Sequence, residues 1–425
     1  MSEAVIIDGV RTPFARGGTA LKDLPAEELG RIAVGELLQK TSLDPKAVDE
    51  VIIGTVSQMV DTANLSRVIA LMAGLPKQVS AYTVNRNCAS SLEAIGSAVE
   101  KIRAGMADTV VAGGVESMSN VPVFLFSKRF SELMIEASKA KTLRKRLSAF
   151  LKLRPRDLKP FILSQTDPLV DMKMGDTAEV LAKEFGISRE EQDRFAQMSH
   201  LRAAEAKERL REEIAPVYLP SNGGTAVRDD VGPRPNQRLE DLSRLPPVFD
   251  KKNGTVTAGN ASPITDGASA LLMMNQDKAR SLGYKPLGRI IAYAYAGLEP
   301  ERMGLGPAFS TARLLKRTGM KLSDFGLIEI NEAFAAQVIA NERAFTSKRF
   351  AQEQLDRAEP LGEIRREILN VNGGAIAIGH PLGASGGRLM LTLLYEMRRR
   401  SQSLGLVTLC VGGGQGAAFA VERMS

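Results

Sequence analysis

A chain of 425 residues with 44% hydrophobic and 25% charged residues is too long for one small core and too apolar to stay unfolded. Two cysteines without repeated spacing exclude a disulfide scaffold or a zinc cluster and suit a reducing compartment. No apolar run approaches the ~20 residues that span a bilayer. The net charge of +7 gathers between Phe126 and Pro160, where eleven Lys or Arg face three acids. The amino-terminal Met-Ser-Glu-Ala-Val-Ile-Ile lacks the basic and apolar regions of a signal peptide, so a cytoplasmic protein, or a mature mitochondrial matrix chain, is expected.

In chain order, Ala4–Asp8 reads as a buried strand closed by the turn Arg11-Thr12-Pro13-Phe14. Apolar residues at helical spacing run from Pro25 to Lys40, with Pro25 suited to a first turn. Val51-Ile52-Ile53-Gly54 is a second strand, and Asn64–Ala73 a helix that stops before Gly74 and Pro76. Tyr82-Thr83-Val84 enters a polar turn from which Cys88 opens a run of helix formers reaching Glu100. Thr109–Gly114 is again a buried strand. This alternation predicts an α/β fold with a mostly parallel sheet covered on both faces.

From Val121 to about Leu245 charge, proline and helical periodicity increase, which reads as an insertion on the α/β core. Ser131–Lys152 spaces Leu133, Met134, Ala137, Ala140, Leu143, Leu147 and Phe150 as one or two basic amphipathic helices. Such a segment suits a membrane surface, a docking surface for a partner subunit, or a solvated face. Ile187–Leu210 reads as a helix capped by Ser188 with Glu191 three residues on. His200 within it reads as structural.

Alternation resumes with Thr255–Asn260 and Ala268–Met274, and the carboxyl-terminal part then echoes the first. Phe325–Ile330 parallels Val48–Ile53. His380, the helix from about Ala384 and the strand ending at Gly412-Gly413 parallel Cys88, its helix and the strand ending at Gly113-Gly114. An internal duplication is predicted, each copy placing one reactive residue ahead of a helix.

A thiol at the start of a helix faces unpaired N–H groups and the positive end of the dipole, which favour thiolate. His380 lies in Val371–Arg388, a window holding six glycines. Cys410-Val411-Gly412-Gly413-Gly414 ends a strand in a loop whose free N–H groups suit an oxyanion better than a phosphate. Asn331-Glu332-Ala333-Phe334 follows the buried strand Leu327–Ile330, at the strand end where α/β folds keep their sites.

Four motifs, Asn85-Arg86-Asn87-Cys88-Ala89-Ser90, Asn331-Glu332-Ala333-Phe334, Gly379-His380-Pro381 and Cys410-Val411-Gly412-Gly413-Gly414, resemble in order and spacing those of the thiolases. The resemblance runs along essentially the whole chain. It implies a thiolase-like α/β fold with duplicated βαβ halves in a layered α-β-α-β-α core. Residues 1–120 completed by 246–274 would form one half, 275–425 the other, and 121–245 an inserted loop domain.

The implied chemistry is thiolytic cleavage of a 3-ketoacyl-CoA by coenzyme A, as in fatty-acid β-oxidation. Cys88 is the implied nucleophile and His380 its base. Cys410 is the implied second acid and base, since thiols suit that shuttle. One oxyanion hole is implied at His380 with a water held by Asn331, and another at the N–H groups of Cys88 and Gly412. Ser262 is implied to meet the pantetheine arm of coenzyme A, with Met174 near the substrate. Coenzyme A is then a substrate, with no bound cofactor and no metal. Ser91 stands where the family usually has glycine, and Lys173 departs from the family's His or Ser before Met-Gly, leaving its CoA contact in doubt.

Leu143-Arg-Lys-Arg-Leu-Ser and Arg154-Pro155-Arg156 are similar to the β-subunit of the trifunctional fatty-acid oxidation complex. That similarity implies a hydratase/dehydrogenase partner subunit, and the family implies a homo-oligomer, a dimer or a tetramer. Biosynthetic acetoacetyl-CoA formation is the alternative. A decarboxylating condensing enzyme is disfavoured by Cys410, where those enzymes use His or Asn. Nucleic-acid binding is disfavoured because the basic segment lacks interleaved aromatic residues.

Overall fold

The computed structural model describes residues 3–58, 62–121, 124–125, 128–158, 161–162, 166–219 and 224–424. The chain forms two compact units, residues 1–120 with 167–425, and residues 121–166. The second unit is narrower than the insertion expected over 121–245, because residues 167–245 pack with the first.

The first unit is built on strands β1 (Ala4–Arg11), β2 (Glu50–Gly54), β3 (Ser80–Val84), β4 (Thr109–Ser117), β5 (Thr265–Asn275), β6 (Gly288–Gly297), β7 (Leu327–Ile330), β8 (Leu404–Val411) and β9 (Gln415–Arg423). They run in the order β7-β8-β9-β6-β1-β5-β4-β2-β3, with a short strand Ala15–Arg16 beside β5. β1 and β6 share only two residue pairs, Val5 with Arg289 and Ile6 with Gly288. The ladder is therefore two half-sheets joined at a narrow seam.

Each half repeats one unit. β2 runs parallel to β4 from Glu50–Val110 to Gly54–Gly114, and β7 runs parallel to β8 from Leu327–Gly405 to Ile330–Thr408. α1 (Ala26–Thr41) links β1 to β2; α2 (Leu65–Met72) and α3 (Ser90–Arg103) lie between β2 and β4, and α10 (Ser385–Arg399) is the last helix between β7 and β8. This is the duplication read from the sequence.

Strand side chains alternate between two cores, as a period of two requires. Ile6, Ile52, Val110, Ala112, Leu271 and Met273 meet Leu92, Ile95 and Val99 of α3, Leu389, Leu393 and Met397 of α10, and Val407, Leu409 and Phe419 of the other half-sheet. Val5, Ile7, Val111, Leu272 and Met274 point the other way, onto α1 and α2. The outer face of the second half-sheet is covered by α6 (Met174–Glu184), α8 (Gly306–Thr318) and α9 (Ala335–Thr346). α3 and α10 thus form a central layer between two sheets with a helical layer outside each.

The sheet is mixed, where a mostly parallel one was expected. β1–β5, β1–β6, β4–β5, β6–β9 and β8–β9 are all antiparallel. Apolar residues on both faces reported the helical layers on either side, which cover antiparallel strands as readily. β6 and β9 escaped the sequence reading because Arg, Tyr, Gln and Glu interrupt their apolar residues.

Local signals did place the helix starts. Asn64 Oδ1 accepts from Arg67 N–H at 3.2 Å ahead of α2. α7 (Arg189–Glu205) opens with the reciprocal Ser188–Glu191 cap. α7 stops at Glu205, and a separate turn, Lys207–Leu210, completes the span read as one helix.

The second unit contains α4 (Lys128–Lys139) and α5 (Leu143–Leu151). Leu133, Ala137 and Ala149 are buried, while Leu143, Leu147, Phe150 and Leu151 are exposed among Arg and Lys. Ion pairs join Lys152 to Glu136 and Arg129 to Asp157. Among the described residues no helix is long and apolar enough to cross a membrane.

Candidate active site

The two central helices meet at their amino-terminal ends. Gly387 N–H donates to Ser91 Oγ at 2.8 Å, and a Cβ on Gly386 would stand 2.6 Å from Leu92 Cγ. Cys88 and His380 lie just ahead of these two helices in the chain, so their segments share one end of the layer. Ser91 is fully buried. The crowding it brings to the first turn is relieved by Gly114 and Gly386, since a Cβ on either would meet Ser91 within about 3 Å.

Cys88 precedes α3 rather than opening it: the helix begins at Ser90. The backbone N–H groups of Gly412 and of Cys88 itself lie near its thiol and favour the thiolate, but desolvation outweighs them and pushes its pKa up to about 11. The expected thiolate is therefore a neutral thiol at rest, because burial penalises charge more than two backbone donors favour it. Cys410 is buried, and its thiol is also pushed up, by desolvation and then by the Cys88 charge. The two sulfurs thus lie within electrostatic reach. Both cysteines are free thiols.

His380 is buried with both ring nitrogens engaged. Nδ1 lies 2.5 Å from Ser385 Oγ, and Nε2 lies 3.3 Å from Asn331 Nδ2. Ser385 spends its one hydroxyl proton on Pro381 O at 3.0 Å. Its oxygen then accepts from Nδ1–H, and Nε2 keeps a lone pair facing the Asn331 amide. Desolvation, with the Arg388 charge second, depresses the His380 pKa to about 3. An imidazole expected to titrate near neutrality is held neutral. Asn331 Oδ1 is buried with no hydrogen-bond partner among the described residues, a free acceptor beside the ring.

Glycine is required where these loops turn. Gly379 has φ +115°, and a Cβ there would stand 2.7 Å from Thr265. Gly413 and Gly414 have φ +83° and +75°, and a Cβ on Gly414 would stand 2.2 Å from Leu298 O. Such backbone is closed to other residues.

The other expected residues border the same region. Met174, the first residue of α6, puts its sulfur 3.2 Å from where a Cβ of Gly412 would be. Ser262 is half-buried, and its N–H donates to Ala333 O at 2.9 Å beside the Asn331 segment. Lys173 is exposed, and its backbone N–H donates to Asp176 Oδ2 at 2.7 Å. His200 is buried with Nδ1 unpartnered, and desolvation with the Arg234 charge lowers it to about 4.

Two buried carboxylates brace these loops: Glu116 was not singled out from the sequence, and Glu332 was named there only within its motif. Glu116, at the end of β4, accepts N–H bonds from Ser57 at 2.8 Å, Gly383 at 2.9 Å and Val56 at 3.1 Å. It thereby ties the Gly379–Ala384 turn to the first half. Glu332 accepts from Ser199 Oγ at 2.6 Å, Asn370 Nδ2 at 2.8 Å and Ile376 N–H at 3.2 Å, anchoring the loop that leads to His380. Burial raises both carboxyls, while these bonds pull the other way. The available signal was an acid at or just beyond the end of a buried strand, Glu116 near the end of β4 and Glu332 two residues after β7. Among the described residues no group of three or more His, Cys, Asp or Glu could hold a metal.

Comparison with known proteins agrees with this architecture. The thiolase N-terminal domain matches residues 4–277 and the thiolase C-terminal domain residues 284–423. A 3-ketoacyl-CoA thiolase of Pectobacterium carotovorum is 44% identical over 419 residues, 98% of this chain and 95% of that protein. The Bacillus anthracis acetyl-CoA acetyltransferase structure superposes with TM-score 0.86 at 36% identity, covering 100% of this chain and 99% of its own. Human mitochondrial 3-ketoacyl-CoA thiolase in complex with CoA does so with TM-score 0.83 at 35% identity, covering 100% and 98%. With both domain models matched end to end and a sheet-helix-sheet core built twice over, the chain belongs to the thiolase family of acyltransferases.

Proposed function

We propose that the chain cleaves 3-ketoacyl-CoA with coenzyme A to acetyl-CoA and a shortened acyl-CoA, as in fatty-acid β-oxidation. The observation that carries this reading is the Gly412 loop held against the Cys88 segment by Asn87 Nδ2 on Gly412 O at 2.8 Å, which leaves the N–H groups of Gly412 and Cys88 near the Cys88 sulfur. An oxyanion formed on a carbon bonded to that sulfur falls where donors already converge.

At rest thiol and imidazole are both neutral, so attack and proton transfer proceed together. Cys88 Sγ bonds to the 3-keto carbon while its proton passes to His380 Nε2, the nitrogen that Ser385 leaves free. The keto oxygen becomes an oxyanion held by Cys88 N–H and Gly412 N–H. As the C2–C3 bond breaks, the carbonyl reforms as a thioester on Cys88 and the electron pair leaves on the acetyl-CoA enolate. His380 Nε2–H and a water held by Asn331 face the enolate oxygen, and Cys410 gives its proton to C2. Cys410 thiolate then takes the proton of the incoming coenzyme A, whose sulfur attacks the acyl-enzyme. Cys88 leaves and recovers its proton from His380. Ser262 and Met174 contact the coenzyme arm and the acyl group. Coenzyme A enters as a substrate, and no step calls for a metal or resident cofactor.

Incubation with acetyl-CoA followed by peptide mass spectrometry tests the assignment: one acetyl group on the Cys88 peptide is expected, and a label confined to another residue overturns it. Loss of acetoacetyl-CoA on adding coenzyme A measures the cleavage. Acetoacetyl-CoA formation from two acetyl-CoA uses the same groups in reverse, and steady-state rates in both directions separate the two uses.

The basic unit makes a peripheral contact with anionic lipid in this proposal. Leu143, Leu147 and Leu151 are exposed along one stripe of α5, flanked by Arg144, Lys145, Arg146 and Lys152, the pattern of a helix lying in a membrane surface. Flotation with anionic vesicles that disappears at high salt is expected; failure to bind at any salt overturns the lipid contact and returns this face to solvent or to docking of a hydratase/dehydrogenase subunit. A homo-oligomer is part of the same reading, supported by β3, which among the described residues pairs only with β2 and so stands at a sheet edge. Two free thiols suit a cytoplasmic or matrix setting.

A further inference from the structure

Asn87 adopts a left-handed backbone, φ +44°, immediately before the nucleophile. The turn around it is held without its side chain. Asn87 N–H donates to Asn85 Oδ1 at 2.9 Å, Ser90 Oγ donates to Asn87 O at 2.6 Å, and Arg86 N–H donates to Ser90 Oγ at 2.9 Å. The side-chain amide is therefore spare, and it crosses to the other half of the fold, donating to Gly412 O at 2.8 Å. Arg86 reaches the far end of the same loop. Its Nη1 donates to Gln415 Oε1 at 3.2 Å, while its Nε pairs with Glu93 at 2.6 Å and its guanidinium stacks 3.9 Å above the Tyr295 ring.

The gripped loop, Gly412-Gly413-Gly414, has no side chain with which to fix itself. Glycine carries the largest backbone entropy of any residue, and three in succession populate many conformations unless an outside group holds them. Yet Asn87 reaches the carbonyl of Gly412, whose N–H lies near the Cys88 sulfur and is an oxyanion donor in the acyl-transfer reading, and such donors must be in place before charge forms.

We propose that Asn87 is a positioning residue: its amide pins the Gly412 carbonyl so that the N–H groups of Gly412 and Cys88 converge on one oxygen. Arg86 braces the other end of the loop at Gln415. The inference rests on the acyl-transfer reading given above and adds a residue that touches no reacting atom.

The test uses the full chain with Asn87→Gly, which keeps the left-handed backbone and deletes the amide, and Asn87→Asp, which keeps the shape but turns an oxygen toward the Gly412 carbonyl. With acetoacetyl-CoA and coenzyme A, kcat is expected to fall about 10-fold for Asn87→Gly and on the order of 100-fold for Asn87→Asp. KM should stay within a factor of about two, and the melting temperature within about 2 °C. Label exchange between acetyl-CoA and free coenzyme A, which needs no enolate, should fall in parallel with cleavage. Alkylation of Cys88 by iodoacetamide, which builds no oxyanion, should keep its rate. Full kcat in Asn87→Gly overturns the proposal, as does a loss matched by slower alkylation or by a large fall in melting temperature. Failure of the acyl-transfer reading would appear differently, as wild-type protein that neither cleaves nor exchanges.

Discussion

Ser385 Oγ sits 2.5 Å from Nδ1 of His380 and directs its own proton to Pro381 O. One hydroxyl thereby fixes both the tautomer and the tilt of the imidazole, leaving Nε2 with the lone pair that the proposed base needs. Ser385→Ala should lower kcat on the order of 10- to 100-fold, with KM for acetoacetyl-CoA little changed. Steady-state kinetics measure it. An unchanged kcat would mean that packing alone orients the ring.

Ser91 joins the nucleophile helix to the helix that follows His380 by accepting from Gly387 N–H at 2.8 Å. Both groups are buried, so Ser91→Ala strands a donor at a cost of about 1–3 kcal/mol. Chemical denaturation should show that loss, together with a lower kcat as the two helix ends part. Ser91→Gly should lose at least as much stability, since it removes the same acceptor and adds backbone freedom.

Glu116 holds three N–H groups from two separate loops. Glu116→Gln presents one oxygen and one NH2 to a site built for acceptors, so a donor is forced against donors. A stability loss on the order of 2–4 kcal/mol is expected by denaturant titration. Because Gly383 is one of the three, activity should fall further than stability alone explains.

His200 gives a pH signature. Its folded pKa is depressed to about 4, below the ~6.5 of an unfolded histidine, so the unfolded chain binds the proton first. Its contribution is present in full above pH ~6.5 and is lost as pH falls toward about 4, amounting at most to about 3 kcal/mol. His380 shifts in the same direction, while Glu329, raised to about 8 by desolvation against the opposing Arg388 charge, acts oppositely. The difference between wild type and His200→Gln isolates the one group. The variant's denaturation midpoint should decline less steeply between pH 6.5 and about 4, and parallel declines would refute the assignment.

The residues proposed for the chemistry were legible because each stands in a short local pattern. Cys88 precedes a run of helix formers, His380 sits among glycines, Cys410 ends a strand, and Asn331 follows one. The helix starts at Asn64 and Ser188 were legible for the same reason, since a cap is a bond between residues three apart. The mixed sheet was not, because strand direction depends on partners as remote as Val5 and Met274.

Most helices, the apolar strands and the candidate reactive groups were thus legible in local residue chemistry, which a linear string displays. Protonation was settled only by folding: desolvation of the half-buried Cys88 and the buried His380 favours both neutral forms against the expectation from helix position and free pKa. The same holds for the contacts that set the geometry. Asn87 with Gly412, Ser91 with Gly387 and Glu116 with Gly383 join positions hundreds of residues apart. Desolvation and hydrogen-bond reach are properties of distance in space, and the sequence encodes distance along the chain.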